Sequence, residues 1–425
     1  MNLKEKLRQL ESLPYHKGFF QYQKIPISSN NQIDKVIHGK YEDSPDGRYF
    51  CRYIKFTQEY CHGIVIITSY LDKSSALLSL IGKSTDFDGV DLRKTIFIDT
   101  ETTGLSGGSG ICAFLVGVGY FTEKDFCIAQ YFMNDFNEEK ALLNQINHLI
   151  EKHDILVSYN GKCFDIPLLI SRNVYHRMKI PLSNILHLDL LFTVRRLWKH
   201  KLPDCTLGTT EAQILKASRI GDIPSHLIPD IYFQYLRNKD AKPLKAIFYH
   251  NQQDILSLVA LAIKACQAFE NPMEEADSFD DILPLGKVYD GLAQFDDSIA
   301  LYNEFRETAC EKTNRRELLF RIAFNYKKLK KWAKVSEVWK QCIATEKFHP
   351  VPYIELAKYY EHREKNYFRA KNLVEKALKE MNIIEELYGK DEWTKYKNDL
   401  EYRQHRLIKK SQGNFYTETP SFNIH

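Results

Sequence analysis

From residue 94 the chain alternates short apolar runs with longer amphipathic stretches. TIFIDTE (95–101), ICAFLVGVGYF (111–121) and FCIAQYFM (126–133) are β-branched and aromatic runs of strand length. EEKALLNQINHLIEKH (138–153) carries its apolar residues at helical spacing. ILVSYN (155–160) predicts a short strand, FDIPLLISRNVYHRM (164–178) a helix, and HLDLLFTVRRLW (187–198) a strand end that runs into a helix. Residues 241–269 predict one long helix. Three successive strands followed by alternating helices and strands imply a mixed sheet covered by helices, an α/β domain over 91–270. Before it, 1–13 and SALLSLIGK (75–83) read as helices, and CRYIKF (51–56) and GIVIITS (63–69) as strands. Residues 1–90 are therefore expected to form an α+β extension, in which no chemistry is legible.

Beyond residue 278 strand-like runs disappear and a repeat emerges. Leu285-Gly286, Ile322-Ala323 and Leu356-Ala357 are 37 and 34 residues apart, and Tyr289, Tyr326 and Tyr360 follow at matching positions. Phe295, Trp332 and Tyr367 come next, then Tyr302, Trp339 and Val374, with Ser298, Val335 and Ala370 between them. The pattern resembles the tetratricopeptide repeat, a helix–turn–helix of about 34 residues. That resemblance implies an all-α repeat domain over 276–410, with 411–425 as a tail. Its functional reading is a binding groove; the alternative is a stack that braces the α/β domain. Helical spacing favours a core role for the aromatic positions over an exposed stacking surface.

Charge and cysteine usage narrow the function classes. Net charge is +4, but residues 270–305 hold one Lys against ten Asp/Glu, and 306–410 hold 26 Lys/Arg against 16 Asp/Glu. The basic block suits a phosphate backbone or, equally, solvated Lys-rich helix faces. Nine scattered cysteines without a CxxC pair argue against a disulfide framework and a zinc site, and fit a reducing cytoplasm. The longest apolar run, 111–121, holds two glycines and falls short of the roughly 18 residues a membrane span needs. The first 13 residues are charged and lack the apolar centre of a secretion signal. A cytoplasmic protein without membrane contact is expected.

Four carboxylates carry the candidate chemistry. Asp99 and Glu101 are two residues apart at a strand end, so both point to one face. Two adjacent carboxylates repel, and one is driven towards neutrality unless a cation lies between them. Such a strand end opening into a Gly-rich loop suits a divalent metal with oxygen ligands. Asp165 follows a strand and a glycine turn in NGKCFDIP, at a helix start, where Asp is also an ordinary capping residue. Asp254 lies inside the long helix, either on its packed side, where a carboxylate needs a partner, or facing solvent.

DTETTG (99–104), NGKCFDIPLL (160–169) and HNQQDILSL (250–258), in this order, resemble the three motifs of the DEDD exonuclease superfamily. DTETTGLSGGSG, FLVGVGYF and NGKxFDxPLL are similar to the bacterial YprB-like ribonuclease-H-like proteins, which carry tetratricopeptide-like repeats after the nuclease domain. The resemblance implies a ribonuclease-H-like fold, removal of nucleotides from 3′ ends, and two divalent ions, Mg²⁺ or Mn²⁺, held by Asp99, Glu101, Asp165 and Asp254. Members of that superfamily place a His five residues before the last Asp, or a Tyr four before it. Here Tyr249 is five before Asp254 and His250 four before. Four residues return to nearly the same helix face, so His250 is expected as the general base ahead of Tyr249, or else as a group that orients a carboxylate or the phosphate.

Thr102, Thr103, Gly104, Leu105 and Asn160 are candidates to meet the terminal nucleotide, and His187 and Asp189 to brace the site. The expected activity is a metal-dependent 3′→5′ exonuclease on nucleic acid, with single-stranded DNA carrying a free 3′ end as the preferred substrate. The resemblance also suggests a helicase as a protein partner of the repeats. A ribonuclease with the same site and an adaptor with an inactive nuclease fold are the competing readings.

Overall fold

Strand alternation in the first predicted run divides the core. Ile96 and Ile98 pack into one apolar cluster and Phe97 into another, on opposite sides of the sheet. The computed structural model describes residues 31–104, 110–183, 185–308, 315–389 and 393–413. The expected helix over 1–13 and residues 414–425 of the tail lie outside them. The described strands are β1 (Lys40–Ser44), β2 (Gly47–Phe56), β3 (Cys61–His62), β4 (Val65–Ile66), β5 (Thr95–Thr102), β6 (Ala113–Phe121), β7 (Phe126–Phe132), β8 (Ile155–Ser158) and β9 (Leu186–Asp189). Seven of them form one sheet in the order β1-β2-β7-β6-β5-β8-β9. Pairing is antiparallel from β1 to β5, and parallel from β5 through β8 to β9. This is the mixed, helix-covered sheet of ribonuclease-H-like folds. Residues 40–56, from the expected extension, supply two of its strands.

The β-branched run 63–69 does not make the predicted strand. Only Val65–Ile66 pairs, with Cys61–His62, and a 3₁₀ turn over Ile67–Asp72 follows. Ile67 and Tyr70 are both fully buried. They are three residues apart, and a 3₁₀ turn puts such a pair on one side where a strand would split it. Gly63 sits at φ 59°, where a Cβ would stand 2.1 Å from the carbonyl oxygen of Leu215.

Helices α1 (Ser75–Gly82), α2 (Glu139–Ile150), α3 (Asp165–Tyr175), α4 (Leu190–Leu197) and α5 (Ile228–Asn238) cover the sheet. The long α6 (Leu244–Glu270) follows. From Ile255 on it is apolar almost all round, and such a stretch is stable only when buried on every side. Leu244, Ile247 and Phe248 enter one core cluster, and 255–269 the other.

Helical hairpins then follow, the first packed against α4 and meeting the end of α6 through Phe269: α7 (Phe279–Gly291) with α8 (Phe295–Thr308), α9 (Arg315–Lys328) with α10 (Trp332–Thr345), and α11 (Pro350–His362) with α12 (Tyr367–Tyr388). The repeated positions form their core. Leu285, Ile322 and Leu356, and Tyr302, Trp339 and Val374, are buried. Tyr289, Tyr326, Trp332 and Tyr367 pack against that core, half-buried. Lys201 Nζ and His200 Nε2 reach Asp281 at 2.5 and 2.9 Å, joining the segment after α4 to α7.

A last helix, α13 (Thr394–Gly413), brings three cations to one buried carboxylate. Glu361 on α11, its side chain fully buried, accepts from Arg403 (2.7 Å), Arg406 (2.6 Å) and Lys410 (2.9 Å) on one face of α13. Burial alone would raise its carboxyl, but Lys410 and Arg406 bring it down to about 2. A carboxyl held below its unfolded value stabilises the fold above about pH 4.5, and that contribution is lost as pH falls towards 2. Replacing Glu361 with Ala strands buried positive charge and should cost about 3–5 kcal/mol, read by chemical unfolding at pH 7. The wild-type advantage over this variant should shrink between about pH 4.5 and about pH 2.

Candidate active site

β5 carries Phe97, Asp99 and Glu101 on one face, and α6 crosses this end of the sheet. The crossing depends on Gly117, which is paired with Asp99 on β6. A Cβ there would stand 2.2 Å from Asn251 Oδ1, so only glycine admits the helix this close. Asn251 is completely buried. Its Nδ2 donates to Asp99 Oδ2 at 2.9 Å, and its Oδ1 accepts from Gln130 Nε2 of β7 at 2.9 Å. The amide therefore has one orientation, with its donor on the carboxylate.

On the same helix, His250 and Asp254 lie one turn apart, with His250 Nε2 3.4 Å from Asp254 Oδ2. Glu101, His250 and Asp254 each present a ligand atom, all within 4.8 Å of one another. Asp165 opens α3 beside them, and its Oδ1 accepts from Thr100 Oγ1 at 2.5 Å. Asp99 and Asp165 stand outside the group of three, but both raise the carboxyl of Glu101. Tyr249 is half-buried, within electrostatic reach of Tyr60.

Electrostatics mark these four carboxylates as a set. Burial, then the charges of Asp254 and Asp165, push Asp99 well above the usual range, and Asn251 and Arg219 offset this only in part. Glu101 is pushed well up by burial and then by Asp99, Asp254 and Asp165. Asp165 is raised to about 6 by burial, against the hydrogen bond from Thr100. Asp254 is raised by burial despite Arg219 and His250. Such a cluster calls for added positive charge.

The surrounding turns are held by their own residues. Asp189 caps α4 and accepts from the backbone N–H of Leu191, Asn160 and Lys162, at 3.1, 2.8 and 3.0 Å. It thereby locks the turn before Asp165 to the start of α4. Asn160 sits at φ 61° in that turn. His187 Nε2 bonds Ser158 Oγ at 2.7 Å. Thr102 Oγ1 donates to the Gly104 carbonyl at 2.8 Å, and Thr103 Oγ1 accepts from the Cys112 N–H at 3.0 Å, so both hydroxyls hold the loop entrance. Leu105 lies outside the described residues.

Besides Asn251 and Thr100, Arg219, Glu211 and Asp222 surround the site without having been expected there. Arg219 Nη2 donates to Asp254 Oδ1 at 2.6 Å and to Glu211 Oε2 at 2.5 Å. Asp222 accepts from Arg219 Nη1 at 3.1 Å and lies 2.8 Å from His250 Nδ1. Partial burial works to raise the Asp222 carboxyl, but His250 and Arg219 hold it below the usual range. Asp222 therefore accepts from His250 Nδ1, which fixes that edge of the ring on the carboxylate and turns Nε2 towards Asp254. The only trace of Arg219 and Asp222 in the sequence is the charged pair around a glycine in SRIGDIP (218–224).

A family model described as RNase_H superfamily matches residues 96–266. The chain is 29% identical over 397 residues to the Uncharacterized protein YprB of Bacillus subtilis (strain 168), covering 87% of this chain and 95% of that one. Among solved structures it is similar to the family B DNA polymerase of the hyperthermophilic archaeon Pyrobaculum calidifontis, at 15% identity and a TM-score of 0.34. That likeness covers 49% of this chain and spans 28% of the polymerase. The family match runs from the second residue of β5 almost to the end of α6, taking in all four carboxylates and none of the hairpins: over this stretch the chain is similar to the RNase_H superfamily.

Proposed function

We propose that this protein is a metal-dependent nuclease that removes nucleotides from the 3′ end of single-stranded DNA. The observation that carries the reading is the convergence at one end of β5 of Glu101 and Asp254, both buried, with the half-buried Asp99 and Asp165, all four raised by lost solvation. The polarity rests on the likeness of the three sequence motifs to those of DEDD exonucleases. The superfamily match supports hydrolysis of nucleic acid. The helical hairpins, tetratricopeptide-like in spacing, serve on this reading as a docking surface for substrate or for a protein partner such as a helicase.

The donors fit Mg²⁺ or Mn²⁺. Hard cations prefer oxygen ligands, and burial leaves these oxygens short of compensation. Asp99, Glu101, Asp165 and Asp254 would hold the ions. When bound, two such ions activate the attacking water and stabilise the leaving oxygen of an in-line phosphoryl displacement. Asn251 keeps Asp99 oriented through its buried amide. His250 takes the proton of the attacking water at Nε2, because Asp222 commits Nδ1 to donation. Tyr249, on another face of α6, takes no part.

Degradation of end-labelled oligonucleotides, DNA and RNA, tests the reading with Mn²⁺ and with EDTA. Loss of label order consistent with 3′→5′ removal is expected on DNA; exclusive cleavage of RNA would transfer the assignment to a ribonuclease. Asp99→Ala should abolish cleavage while the metal-free protein stays folded, and unchanged rates in that variant would place the chemistry elsewhere. His250→Ala should slow single turnover about 10²–10⁴-fold, the usual worth of a general base, with Mn²⁺ affinity nearly kept. Loss of Mn²⁺ binding in that variant would make His250 a ligand instead. Tyr249→Phe should be mild.

The raised carboxyls also predict the pH dependence of metal-free stability. The folded protein keeps a proton on Asp165 up to about pH 6, whereas the unfolded chain releases it near the ordinary value of 3.8. The folded state therefore binds more protons in that window, and stability falls as pH rises through it. Mn²⁺ should raise the melting temperature more at pH 7.5 than at pH 5, as read by calorimetry; an equal shift at both values would contradict binding through these carboxylates.

A further inference from the structure

Behind Asp254 lies a network whose donors converge on one oxygen. His62 Nε2 donates to Ser257 Oγ at 2.8 Å, and the Ser257 hydroxyl donates to Glu211 Oε2 at 2.7 Å. Arg219 Nε and Nη2 donate to the same Oε2, at 2.9 and 2.5 Å. The Glu211 and Arg219 side chains are only 3% and 11% exposed. Glu211 opens a π-helical turn, Glu211–Leu215, that ends at a left-handed Lys216, and the chain then doubles back to bring Arg219 onto Glu211. Single π turns of this kind concentrate at functional sites.

The guanidinium spends its remaining donors on the site. Nη2 reaches Asp254 Oδ1 and Nη1 reaches Asp222 Oδ2, while Asp222 Oδ1 accepts from the Ile223 N–H at 2.9 Å. Asp222 in turn holds His250. Two of the three groups that converge at Glu101, His250 and Asp254 are thus fixed through Arg219. The ring closes on α6 itself, because Asp254 and Ser257 stand one turn apart on that helix.

We infer that Arg219, held from behind by Glu211, Ser257 and His62, is a positioning residue that presets Asp254 for metal binding and His250 beside it. This rests on the metal-dependent reading above. Two features separate positioning from mere charge. The guanidinium is matched by Glu211 and Asp222, two carboxylates outside the proposed ligand set, so it does not substitute for a divalent ion. It also engages Asp254 through Oδ1 alone and leaves Oδ2, the oxygen facing His250, open to a ligand. Partners of this kind orient metal ligands, and losing them typically costs about 10–100-fold in metal affinity or activity.

Arg219→Lys isolates the geometry, because it keeps the charge and loses the planar fork that spans three carboxylates. Mn²⁺ binding to the full-length protein is measured by isothermal titration, beside the metal-free melting temperature and the affinity for a single-stranded oligonucleotide in EDTA. Mn²⁺ affinity should fall about 10–100-fold, with the other two readouts near wild type. Glu211→Gln should act in the same direction, and it carries the test if Arg219→Lys does not fold. Wild-type or tighter Mn²⁺ binding in a folded variant overturns the inference, as does a lowered melting temperature with unchanged Mn²⁺ affinity. Failure of both variants to fold would make the network a folding element and overturn it too. A wild-type protein that binds no Mn²⁺ defeats the metal-site reading itself, a result distinct from equal binding by wild type and variants.

Discussion

The packing of four carboxylates into one end of a buried sheet is the constraint around which this molecule is arranged. Asp99, Glu101, Asp165 and Asp254 each lose solvation there, and their charges oppose one another. A fold that gathers them must supply donors from several directions. Asn251 arrives from α6 because Gly117 makes room. Thr100 arrives from β5 itself, and Arg219 from a loop with its own buried counter-ion. The donors only partly offset the burial, so all four carboxyls stay raised.

Much of this was legible in the sequence where local periodicity decides the outcome. Alternation in 95–101 puts Asp99 and Glu101 on one side of a strand, and a spacing of four residues aligns His250 with Asp254 on a helix. The repeat positions around Leu285, Ile322 and Leu356 likewise mark buried helix faces. What escaped depends on tertiary contact. The run 63–69 has strand composition, yet Ile67 and Tyr70 must share one side and Gly63 must fit beneath Leu215. Residues 1–90 show no chemistry in one dimension, yet His62 completes the network behind Asp254. Arg219 and Asp222 sit in a loop without periodicity, and their partners lie up to 35 residues away.

The α6 helix links the two halves of the chain mechanically. Its first half carries His250, Asn251 and Asp254, and near its end Phe269 meets Tyr289 of α7 edge to face, 5.7 Å between ring centres. Its apolar residues from 255 onward share one cluster with the hairpin core. The positive charge of the hairpins is less free than its tally suggests. Lys327 pairs with Glu355, Lys331 with Asp296, and three cations of α13 with Glu361. Part of the basic surplus is thus spent holding helices together.

The β1–β2 pair has a further consequence, for aggregation. β2 covers the full length of β7, from Phe50 with Phe132 to Phe56 with Phe126. Without it, β7 would offer a bare row of backbone donors and acceptors flanked by Phe126, Ile128, Tyr131 and Phe132, a template for another chain to add to. β1 closes that edge with a strand of five residues, and Lys40, Glu42 and Asp43 line it with charge. Short, charged edge strands resist further pairing. A gene fragment starting at residue 91 would keep the four carboxylates and lose this guard, so the N-terminal segment earns its place as a solubility device for the sheet that carries the site.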